Sequence, residues 1–151
     1  MKILSTPFKY NDGGRKEAGF KGDAGDCVCR AITIASGKSY KEVYNRLAEG
    51  NANQRLSKYQ SVKKSKSASS GVSVKRKWFA DYVKELGFEW IPTMFIGSGC
   101  KVHLCAEELP KGKLIVSVSK HLTCVIDGVI NDTFNPARGA TRCVYGYWIL
   151  K

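Results

Sequence analysis

Six cysteines and two histidines bound the covalent and metal chemistry open to this chain. The most telling thiol is Cys27, in the stretch "AGDCVCRAI" at 24–32. Asp26 is a good helix N-cap, because its carboxylate can accept a backbone N–H of the first turn. Val28, Ala31, Ile32 and Ala35 then fall at helical spacing as an apolar stripe. Cys27 is therefore expected at the first turn of a helix, where the macrodipole and free N–H groups favour a thiolate. Paired with an imidazolium, such a thiol drops to a pKa of about 3.5–7.5. The bland alternative is a small core residue, the usual fate of a cysteine in an apolar element and the one expected for Cys29, Cys124 and Cys143.

A base for that thiol lies in "HLTCVIDGVINDTF" at 121–134. Asp127-Gly128 between two apolar runs is a strong two-residue hairpin signal. The turn fixes the register: Ile126 opposes Val129, Val125 opposes Ile130, Cys124 opposes Asn131, Thr123 opposes Asp132, and His121 lies opposite Phe134. Strand side chains alternate faces, so His121, Thr123 and Asp132 share one face and Asn131 points away. A carboxylate on one imidazole nitrogen sets the tautomer and frees the other nitrogen for a proton. Asn135 and Asp127 are alternative neighbours, Asp127 being more simply a turn residue.

The order Cys, His, Asx, with the Cys opening the first core helix and the His opening a strand, resembles the papain-like cysteine peptidases. The resemblance is to their compact microbial branch near the double-glycine (bacteriocin-processing) peptidases, and to small papain-like proteins of bacteria and their phages. It is carried by "GDCVCRAI", "GCKVHL", "ELPKGKLIVSVSKHLTCVIDGVINDTFNP" and "RCVYGYW", mostly after residue 95. It implies Cys27 as nucleophile, His121 as general base and Asp132 as its orienter. The implied activity is cysteine-dependent hydrolysis of an amide bond in a protein or peptide through an acyl-enzyme, with no cofactor and no metal. Deamidation or transglutamination on the same triad is the near alternative. Papain relatives usually place a Gln shortly before the Cys as an oxyanion donor; position 21 here is Lys and the first 50 residues hold no Gln. Another donor is therefore expected, such as a backbone N–H near Gly25 or a distant side chain.

The elements that must position these groups fall in two blocks. Residues 1–25 read as mostly irregular, broken by Gly13, Gly14, Gly19, Gly22 and Gly25. After the helix that Cys27 opens, Ser39-x-x-Glu42 is a capping box for a second helix, with Gly50 as its stop. A third helix is expected at 74–86, burying Val74, Trp78, Phe79, Tyr82, Val83 and Leu86 and ending at Gly87. From there the period shortens, and "FEWIPTMFIG", "KLIVSVS", "HLTCVI", "VINDTF" and "RCVYGYWIL" read as strands. Helices first and a mostly antiparallel C-terminal sheet second make an α+β pattern, expected as a single papain-like domain over 1–151. Trp78, Trp90, Tyr145, Tyr147 and Trp148 are expected in the core and the cleft walls.

Composition adds bounds. The chain has 151 residues, 43% of them hydrophobic, enough for a real core. It shows no export signal and no apolar run of membrane-spanning length, so a cytoplasmic protein with reduced thiols and no membrane partner is expected. The nearest metal-type spacings, Cys27-x-Cys29 and Cys100-x2-His103-x-Cys105, fall short of the paired spacings of zinc sites, so no metal is expected. His103 reads as a structural histidine or a second polar wall of the cleft. Net charge is +12, and residues 50–80 hold no acidic residue against eight basic ones: Arg55, Lys58, Lys63, Lys64, Lys66, Lys75, Arg76 and Lys77. Lys63, Lys64, Lys66, Lys75, Arg76 and Lys77 are an electrostatic footprint for nucleic acid or an acidic partner, or else the solvated charge of an exposed loop at 51–72. A non-enzymatic binding protein built on that segment is the rival from another class.

Overall fold

The computed structural model describes residues 6–17, 19, 27–53, 77–94, 97, 99–119, 121–137 and 140–151. Among them are three helices, α1 (Cys27–Ser36), α2 (Tyr40–Asn53) and α3 (Lys77–Glu85), and six strands. The strands are β1 (Phe8–Tyr10), β2 (Phe88–Pro92), β3 (Lys113–Val118), β4 (His121–Ile126), β5 (Val129–Asp132) and β6 (Val144–Leu150). They form one sheet in the order β1-β5-β4-β3-β6-β2, with only the β1–β5 pair parallel. The α+β expectation holds, with a mixed sheet.

α1 is buried along nearly its whole length because its side chains are small or apolar: Val28, Cys29, Ala31, Ile32 and Ala35 all lie inside. The cap expected of Asp26 falls outside the described residues. The helix ends at Gly37, whose φ of +76° lets its N–H turn back to the Thr33 carbonyl at 3.0 Å. Ser39 caps α2, its hydroxyl accepting the Glu42 N–H at 3.2 Å. Gly50 does not stop α2, which runs on to Asn53 and so takes the first residues of the expected basic loop. A Cβ on Gly50 would lie 2.4 Å from the Trp78 ring, so glycine is used there for close helix contact, not termination. The expected start of α3 at 74 lies outside the described residues, while its end before Gly87 is as expected.

The β4–β5 turn has the predicted geometry. Asp127 and Gly128 both take positive φ, +49° and +84°, as a type I′ hairpin requires. Pairing follows the expected register, Ile126 with Val129, Val125 with Ile130 and Cys124 with Asn131. The sheet buries one face under the helices, through Ile115, Leu122, Cys124 and Trp148. A second core of Leu104, Leu109, Leu114, Val116, Val125 and Val144 lies apart from it.

Three sequence expectations are corrected. Residues 8–10 are not irregular but form β1, exposed and without alternation; its place is set by backbone bonds, Ile130 N–H to the Pro7 carbonyl and Asn11 N–H to the Asp132 carbonyl, both 2.8 Å. Four expected strands are shorter, because β2 ends at Pro92, β3 at Val118, β5 at Asp132, and β6 begins only at Val144. The thiols are not all free: Cys100 and Cys143 are joined as a disulfide, Cα atoms 5.7 Å apart, and Cys143 is half-buried, not in the core. Among the described residues no helix is long and apolar enough to cross a membrane.

Candidate active site

The residues singled out at opposite ends of the chain meet. Cys27 is the first residue of α1 and His121 the first of β4, and the two side chains lie close enough for each to shift the other's titration. α1 packs directly on β4, so the helix N-terminus and the strand start are brought to one place. His121 Nε2 lies 2.7 Å from Asp132 Oδ2. That nitrogen being taken, Nδ1 is the one left to face the thiol. The ring also lies against Phe134, centroids 5.1 Å apart.

Asp132 is 3% exposed and well supplied with donors. Its Oδ2 also accepts the Thr123 hydroxyl at 2.7 Å. Its Oδ1 accepts the Thr133 N–H at 2.7 Å and faces the Arg30 guanidinium at 3.6 Å. The shared face of His121, Thr123 and Asp132 follows from strand alternation, as expected. Arg30 was not singled out in the sequence, although it stands three residues after Cys27 and so one helical turn along the same side. A buried carboxylate holding a guanidinium on one oxygen and an imidazole on the other is anchored in position and charge.

The electrostatics form a coupled pair. Burial alone would push the Cys27 thiol up. The His121 hydrogen bond and charge, a backbone hydrogen bond at Leu122 and the charge of Arg30 outweigh it and hold the thiol below its ordinary 9.0. Burial likewise opposes charge on His121, but the hydrogen bonds and negative charges of Asp132 and Cys27 raise it from 6.5 to about 9. Burial of Asp132 is outweighed by His121 and Thr123, which keep its carboxyl below 3.8. By contrast burial pushes Cys124 up to about 12. The group at Cys27 is thus suited to a thiolate–imidazolium pair, the reactive form for nucleophilic attack.

Asn135 and Asp127 are engaged elsewhere: the Asn135 amide donates to Thr6 at 3.4 Å, and Asp127 accepts the Gly112 N–H at 2.9 Å. Leu122, next to His121, also lines an apolar cavity of about 420 Å³ with Trp90, Tyr145, Trp148 and Lys84. Trp90 and Tyr145 are exposed there and Trp148 is buried. Lys63, Lys64, Lys66, Lys75 and Arg76 lie outside the described residues; Lys77 is exposed and paired with Asp81 at 2.8 Å. Comparison with protein-family models, with curated proteins and with solved structures gives no match for this chain.

Proposed function

We propose that this chain is a cysteine-dependent hydrolase of the papain-like type, cleaving an amide bond in a peptide or protein through Cys27, His121 and Asp132. The observation that carries the reading is that Cys27 opens α1 beside His121, whose ring is held at 2.7 Å by a buried Asp132 that Thr123 also bonds. The Cys27 thiolate attacks the carbonyl carbon, and the new oxyanion sits near the N–H groups at the start of α1. The His121 imidazolium gives its proton to the departing amine, leaving a thioester on Cys27. His121, now neutral, takes a proton from water as the water attacks the thioester, and the acid product leaves with the thiolate restored. Asp132 holds the ring and its charge throughout.

A fluorogenic peptide library tests this. The wild-type protein should cleave some members, and Cys27→Ala should lose at least about 10³-fold of that rate. Full activity in Cys27→Ala would end the reading. Ammonia release from glutamine peptides without backbone cleavage would transfer the same triad to deamidation. Salt-sensitive DNA or RNA binding without any turnover would favour the basic segment as the working part.

A further inference from the structure

Among the described residues one group of metal-type side chains converges outside the triad: Cys100, His103 and Cys143, their donor atoms all within 4.8 Å of one another. We infer that in the reduced protein these three side chains bind a zinc-class divalent cation. Three observations support the site. First, Cys100 Sγ and His103 Nε2 are 3.5 Å apart. A zinc ion about 2.3 Å from sulfur and about 2.0–2.1 Å from imidazole nitrogen, at the tetrahedral angle, separates those donors by about 3.6 Å. Second, the other nitrogen of His103 is held by the Glu108 carboxylate at 3.3 Å, which fixes the ring with Nε2 toward the sulfurs. That carboxylate–histidine arrangement is the usual outer shell of a metal-binding imidazole. Glu108 is itself fixed by the Cys105 thiol, which donates to it at 3.2 Å. A disulfide between Cys100 and Cys143 requires neither the aimed histidine nor its carboxylate.

Third, the backbone holds two of the three ligands, His103 and Cys143, directly across from each other. His103 and Cys143 form an isolated antiparallel bridge, flanked by Leu104 N–H to the Arg142 carbonyl at 2.9 Å and Val144 N–H to the Val102 carbonyl at 2.8 Å. Spacing alone did not reveal the site, because Cys143 comes from 43 residues beyond Cys100. The disulfide and the metal are alternative states of the same two sulfurs. A phosphine opens the disulfide, itself becoming the phosphine oxide with oxygen from water, and leaves two thiols. Binding of the cation then displaces one proton from each thiol, and water takes the fourth position.

The test uses full-length protein reduced with a phosphine, titrated anaerobically with cobalt(II) and then with zinc. The expected result is one equivalent of cobalt, with thiolate charge-transfer and tetrahedral d–d bands that zinc displaces. Cys100→Ser and His103→Ala should lose the bands, and Cys27→Ala should keep them. Glu108→Gln should keep the bands but weaken binding about 10–100-fold. Thermal melts without metal show which variants fold, and Glu108→Gln serves where a ligand variant does not. Reduced wild-type protein that takes up no cobalt would overturn the site, as would bands that survive in folded Cys100→Ser or vanish in Cys27→Ala.

Discussion

Replacing Asp132 by Asn tests the electrostatic part of the triad without changing its shape. His121 is raised from 6.5 to about 9 against the opposing effect of burial, through hydrogen bonding to Asp132 and Cys27 and through the negative charge of both. At 1.36 kcal/mol per pH unit, the preference for the charged ring is about 3 kcal/mol. An opposite charge in direct contact shifts a pKa by about 1–3 units, so Asp132→Asn should lower the His121 midpoint by at least about one unit. The new side chain also has one oxygen where Asp132 used two. If that oxygen serves His121 and Thr123, the amide nitrogen faces the Thr133 N–H and the Arg30 guanidinium, donor against donor. Leaving buried positive charge uncompensated costs about 3 kcal/mol or more, which for a chain of this size is about 6–12 °C in Tm. The assay is a pH titration of the imidazole NMR signals, simple here because the chain has only two histidines. An unmoved His121 midpoint in a variant that melts like the wild type would refute the reasoning.

Three further outcomes follow from the same contacts. Thr123→Val removes one donor to the buried carboxylate and should destabilise the fold by about 1.5–3 kcal/mol in urea unfolding. Asp132 titrates below its ordinary 3.8, so its stabilisation is complete above that value and is lost as pH falls through the native one. Urea midpoints should therefore drop on acidification below about pH 4, and less steeply in Asp132→Asn. Gly50→Ala places a methyl 2.4 Å from the Trp78 ring and should cost about 1–3 kcal/mol by the same assay, where an open helix position would gain.

The parts of the fold legible in the sequence are those dictated by local chemistry. The Asp127-Gly128 turn fixes the β4–β5 register, and with it the common face of His121, Thr123 and Asp132. The buried stripe of α1 and the Ser39 cap are equally local. What escaped was either backbone-driven or long-range. β1 is three exposed residues held by main-chain bonds to β5, which leave no pattern of side chains. Gly50 reads as a stop because glycine usually ends helices, whereas here tertiary contact with Trp78 decides its use. Arg30 carries a signal, one turn after Cys27, but its carboxylate partner lies 102 positions away in the chain. The meeting of Cys100 and Cys143 depends on pairing between the segments before β3 and before β6, which no local spacing encodes.

The most direct measurement is alkylation of the native protein with limiting iodoacetamide from pH 5 to 9, mapped by mass spectrometry. A thiolate–imidazolium pair predicts that Cys27 labels far faster than Cys29, Cys105 and Cys124, still does so near pH 6, and slows in His121→Ala. Labelling of Cys27 no faster than an ordinary free thiol at pH 6, or indifferent to His121→Ala, would contradict the catalytic reading of the site.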